Sequence, residues 1–267
     1  MVSDFSDAEG LRLAQPAEVP AGFPRVAALP RARLLELLQA GREVLECQRV
    51  LKNANINLVS EVLCGQETFT EFNHYPDADV FDAETYSQYF YHAHRGTPDE
   101  HGHFHTFLRA GGMPKDIAQV EYHGDEQWPT GTEALAHLIA ISMDAYGWPI
   151  ALFATNRWVT AECWHPAEDV IHMLDQFQID HAYPSWPVNR WITSMLRLFR
   201  PQIEALLRHR DQVVEMWQKD NPTTDVYEDR ALEVTGYLPI SVEAQLSQVE
   251  HLLSNNAKPI RGGVRSP

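Results

Sequence analysis

His101-Gly102-His103-Phe104-His105-Thr106-Phe107-Leu108 is the stretch on which the reading of this chain turns. Side chains two apart share a face of a strand. On that period His101, His103, His105 and Phe107 point one way, and Gly102, Phe104, Thr106 and Leu108 the other. An apolar set opposite a polar set is the pattern of a half-buried strand. Ala110-Gly111-Gly112-Met113 follows as a turn.

Downstream, residues 136–144 and 150–159 are apolar runs on either side of Tyr146-Gly147-Trp148-Pro149. Their Ile, Phe and Val content and the turn between them predict an antiparallel hairpin. The first run alone would also suit a helix, and residues 114–134 carry no clear pattern. Upstream, Asp82 as a cap, Glu84 in a first turn, and Gly96 with Pro98 as a stop predict a helix over 83–94.

The first strong helix follows Pro30, where Leu34, Leu35, Leu38, Val44, Leu45 and Leu51 recur at helical spacing. Its pattern runs on through 55–63, with Gly65 as the stop. Further helices are expected after Pro166, after Ser185-Trp186-Pro187, beyond a break at Pro201, and after Ser241. The fold class is therefore α+β, a small antiparallel sheet of three or more strands over about 101–159 packed by several helices. Residues 1–30, with four prolines, read as an extended arm, 31–255 as one domain and 256–267 as a flexible tail.

Bulk composition narrows the function classes. Lys plus Arg is 21 and Asp plus Glu 37, a net charge of −16. Such a surface repels phosphate backbones, so nucleic acid is not the expected partner. Arg190, Arg197, Arg200, Arg208 and Arg210 read as a solvated helix face. Three widely spaced cysteines form no disulfide framework and suit a reducing compartment. No apolar run approaches the roughly 18 residues of a membrane span, and the first twenty residues lack a secretory apolar region. A cytoplasmic protein is expected.

The chemistry concentrates in one place. Five of the thirteen histidines fall in residues 92–105, where even spacing would put about 0.7. Along a strand, His103 sits about 6.6 Å from His101 and from His105. Two imidazoles at that spacing can converge on one ion at roughly 2.0–2.1 Å. The outer pair is about 13 Å apart, so one His-x-His pair is expected to chelate, with the third histidine supporting it. His137 is the first choice for a further ligand, ahead of His92, His94, Glu100, Glu121 and His123. Imidazole suits Fe or Zn over Mg or Ca.

The expected function is a metal-dependent enzyme acting on a small organic substrate. Non-haem iron oxidation is preferred to zinc hydrolysis. The alternatives are a non-catalytic interaction or ligand-binding protein, with a protein partner, and a haem-binding protein. No HExxH, GxSxG, P-loop or GxGxxG motif is present. Asn156-Arg157-Trp158 and Asn189-Arg190-Trp191 repeat one tripeptide. Arg157, stacked on a tryptophan near the hairpin end, is the candidate to bind an anionic cofactor.

Overall fold

The structure, a computed structural model, describes residues 26–66, 68–94 and 99–255. Most of the predicted arm (1–25) and the whole tail (256–267) lie outside these residues. Six strands form one antiparallel sheet in sequence order: β1 (Tyr75–Phe81), β2 (Ser87–His92), β3 (Gly102–Arg109), β4 (Leu135–Met143), β5 (Pro149–Thr155) and β6 (Val234–Pro239). Among the described residues seven α-helices accompany it: α1 (Arg31–Asn53), α2 (Leu58–Val62), α3 (Arg157–Thr160), α4 (Ala167–Met173), α5 (Trp186–Leu198), α6 (Arg200–Asp220) and α7 (Val242–Asn255). The fold is α+β, and the sheet reaches well beyond residues 101–159 on both sides.

The helix expected over 83–94 is instead a turn and a strand. Asp82 does cap, but its Oδ1 accepts the N–H groups of Glu84 and Thr85 at 2.9 and 3.0 Å within a hairpin turn. Tyr86 then takes φ 62°, which ends any helix. Tyr89, Phe90 and Tyr91 follow, residues that suit a pleated surface. The predicted hairpin after the third strand does form, although its second strand stops at Thr155. The long helical pattern also divides. Asn55 adopts φ 58°, and Asn57 opens α2 with a capping box, accepting from Ser60 N–H at 2.9 Å. Helices after Pro166, Ser185 and Ser241 lie where the breakers and caps place them, while the break expected at Pro201 falls at Phe199, with Pro201 in the first turn of α6. Ser241 Oγ accepts the Ala244 N–H at 3.1 Å.

One face of the sheet carries the helices. Phe104 of β3 is fully buried there, 5.5 Å from the Trp191 ring of α5 and 5.9 Å from Tyr89. Tyr89 donates its hydroxyl to Asn189 Oδ1 at 2.6 Å, so the phenol of this aromatic stack is satisfied. Burying a side chain such as Phe104 contributes about 1.5–3 kcal/mol. By alternation, His103 and His105 are turned to the opposite face. Among the described residues no helix is long and apolar enough to cross a membrane.

Candidate metal centre

The register of β2 against β3 assembles the site. His92 pairs with His103, and Phe90 with His105. Directly opposed residues share a face, so the imidazoles of His92, His103 and His105 meet. One ring nitrogen from each lies within 4.8 Å of the other two. The ring centroids are 4.5 Å (His92–His103), 4.9 Å (His103–His105) and 5.1 Å (His92–His105) apart. His94 adds a fourth ring, 4.8 Å from His92 and 5.2 Å from His103. Gly102 permits this approach: a Cβ there would stand 2.6 Å from the His92 carbonyl oxygen and from the Tyr91 hydroxyl.

Two of the three imidazoles are held from behind. Glu100 Oε1 lies 2.7 Å from His103 Nδ1, and Glu100 Oε2 accepts the Ser142 hydroxyl at 2.6 Å. Ser142 is itself the register partner of His103 on β4. A carboxylate on Nδ1 fixes the ring and leaves Nε2 to act as a ligand. His105 Nδ1 lies 3.0 Å from His137 Nε2. For His105 to present its Nε2 lone pair, its Nδ1–H must donate to His137.

His137 reaches this face through a bulge. Thr106 pairs with Ile139 and Phe107 with His137, so Leu138 is the extra residue. In unbroken register Phe107 would face Leu138, and His137 would point to the helical side. Glu162 holds the bulge, with Oε2 accepting the His137 main-chain N–H at 2.5 Å and Oε1 accepting the Thr160 hydroxyl at 3.1 Å.

Burial sets the charge state. It drives the His92 imidazole down to about 2, with His103, His94 and His74 adding repulsion. His105 falls well below the usual imidazole range through burial and then its histidine neighbours, and His137 falls to about 3 through burial and Arg210. All three rings are therefore neutral near pH 7, with lone pairs available. Burial raises Glu162 to about 7 against the opposing pull of Arg210 and Arg157. Phe90, Phe107 and Phe153 stand 5.1–5.2 Å from His105, His137 and His103 respectively, forming an apolar surround.

The structure brings His103 and His105 together and sets His101 apart. His101 precedes the strand, its Nδ1 lies 2.8 Å from the Tyr91 hydroxyl, and its ring stacks on Phe69 at 5.2 Å. The expected single face of three histidines thus holds for two. His137 lies beside His105, in the layer behind the converging group. His92, read from sequence as the end of a helix, takes the third place once that segment is a strand. Its Nε2 is buried with no hydrogen-bond partner among the described residues. Ser142 and Glu162 were invisible as site residues, because only the register and the bulge bring them in.

Arg157 is buried: its Nε donates to the Glu162 carbonyl at 2.9 Å and its Nη1 to Glu228 at 2.5 Å. It lies 5.3 Å over Trp128, while Arg230 covers the neighbouring Trp158 at 4.4 Å. Cys163 donates its thiol to the Pro129 carbonyl at 2.9 Å, and His165 Nδ1 turns to the Cys163 carbonyl at 2.9 Å.

Three imidazoles converging in an apolar surround can hold a metal ion. A tetrahedral ion at about 2.1 Å sets nitrogens about 3.4 Å apart, so small ring rotations close the group. No curated protein and no solved structure matches the chain. Residues 38–240 match a family described as a domain of unknown function, DUF6969, and the chain belongs to that family.

Proposed function

We propose that His92, His103 and His105 bind one first-row transition-metal ion, and that the chain is a metal-dependent enzyme acting on a small organic substrate. The observation that carries this is the convergence of three ring nitrogens within 4.8 Å, two of the rings being oriented from behind by Glu100 and His137. A group of imidazoles favours Fe or Zn over Mg or Ca. Three histidines without a carboxylate fit zinc with an open fourth position. The two-histidine, one-carboxylate set of iron oxygenases would require Glu100 to leave His103. The ligand set thus turns the preference from iron to zinc. Zinc bound there supplies a Lewis acid and a water activated near neutral pH. The phenylalanines around the group suit an apolar substrate portion, and Glu100 and His137 keep His103 and His105 in position.

A second reading draws on burial: His103 is 0% and His105 1% exposed. An enclosed ion would tie β2 to β3 and act as a structural support. Cobalt substitution separates the two. With an enzyme's open position, azide shifts the visible cobalt bands; with a closed structural site, the spectrum is unchanged. Absence of cobalt binding by the wild type would remove both readings.

A further inference from the structure

The turn joining β4 to β5 folds over the junction of α1 and α2 and encloses a groove of about 460 Å³. That volume lies within the range of small-molecule sites. Leu45, Ile56 and Leu58 supply apolar lining, with Trp148 on the turn side. The turn is rigidly made: Asp144 Oδ1 accepts the N–H groups of Tyr146 and Trp148 at 2.9 and 2.8 Å. Gly147 adopts φ +80°, and a Cβ there would stand 2.9 Å from the Asn57 side chain, so glycine lets the turn close on α2.

Gln48 also lines this groove. Both its Oε1 and its Nε2 are buried without a hydrogen-bond partner among the described residues. A buried amide missing its donor and acceptor contacts together is costly and rare in folded chains. Of the two cations lining the groove, Arg49 is held by Glu46 at 2.6 Å and Lys52 is exposed to solvent, so the unmet buried demand is for hydrogen bonds.

We infer that this groove binds a planar, uncharged heterocycle with a lactam edge, an N–H beside a C=O, of nucleoside size. Such an edge pairs with a primary amide through two hydrogen bonds, one in each direction. Trp148, 43% exposed, offers the ring face for stacking. The site is independent of the histidine centre, because its residues come from α1, α2 and the β4–β5 turn.

The test is saturation-transfer NMR on the full chain with uridine and inosine. 3-Methyluridine and 1-methylinosine, whose lactam N–H is blocked, serve as controls. At least one parent nucleoside is expected to bind, with its methylated counterpart about tenfold weaker or more. Gln48→Leu should abolish that preference, and Trp148→Ala should weaken the parent, with far-UV circular dichroism confirming each fold. Failure of both parents to bind, equal binding of parent and methylated forms, or a preference that survives in Gln48→Leu would overturn the inference. If Gln48→Leu does not fold, the parent-to-methyl ratio and Trp148→Ala decide it.

Discussion

His105 Nδ1 lies 3.0 Å from His137 Nε2, although the two residues belong to different strands and a bulge separates their registers. The bulge carries His137 to the face where His105 meets His92 and His103. Replacing His137 with Phe removes the acceptor that fixes the His105 tautomer. Metal affinity should fall by about 10–100-fold. His137→Gln, which keeps an acceptor, should recover part of it. Competition titration against a chromophoric chelator reads both, and unchanged affinity in His137→Phe would show that His105 needs no such partner.

Glu100 does the same for His103 from a different direction. Its two oxygens are engaged by His103 and Ser142, so the carboxylate is fixed in place. Glu100→Gln keeps the shape and removes the charge, and should weaken metal binding by about 10–100-fold. Ser142→Ala should have a smaller effect, because it loosens Glu100 without discharging it. If Glu100 instead coordinates the ion directly, its replacement should alter the cobalt spectrum as well as the affinity.

Acid sensitivity follows from the histidines. His92, His105 and His137 stay neutral in the folded chain far below the ordinary imidazole value of about 6.5. Between those limits the unfolded chain binds protons that the folded one does not. Stability is therefore full above about pH 6.5 and lost progressively below it, by about 1.4 kcal/mol per pH unit for each such ring. Glu162 acts in the opposite direction. Raised to about 7, it contributes stability that is present below the ordinary carboxylate value and lost as pH rises through 7. Urea melts of metal-free protein should show greatest stability near neutrality and a steep fall below pH 6. Glu162→Gln should steepen the fall between about pH 7 and 4.5 and leave the profile above pH 7 unchanged. A flat profile from pH 4 to 7 would contradict the burial of these groups.

Period-two alternation was enough to identify β3, and turn chemistry around Gly147 was enough to identify the β4–β5 hairpin. The breakers and caps Pro166, Ser185 and Ser241 located three helices. What failed was the segment 83–94. Its cap, Asp82, serves a tight turn as readily as a helix, and the positive φ at Tyr86 has no sequence signature. That error also ranked His92 behind His137 as a ligand. On a helix it lay at a C-terminal turn, whereas on β2 it faces His103. His101 was misplaced because alternation was carried one residue beyond the start of the strand. Glu162 and Ser142 depend on strand register and a one-residue bulge, which tertiary pairing decides.

The two faces of β3 should separate stability from metal binding. Phe104 packs among Tyr89, Tyr91 and Trp191 on the helical side. Phe104→Ala should destabilise the metal-free fold by about 3–5 kcal/mol. His103→Ala, on the other face, should leave the helices intact by circular dichroism while abolishing tight metal binding. Equal global unfolding by both substitutions would mean that the histidine cluster is part of the core and has no separate role.

The most direct measurement is elemental analysis of untagged protein by plasma mass spectrometry, with His103→Ala/His105→Ala as the comparison. The proposed centre predicts about one zinc or iron per wild-type chain and a near-complete loss in the double variant, with the fold retained. Wild-type protein that holds no metal as purified, and takes up none from zinc or anaerobic ferrous iron, would contradict it.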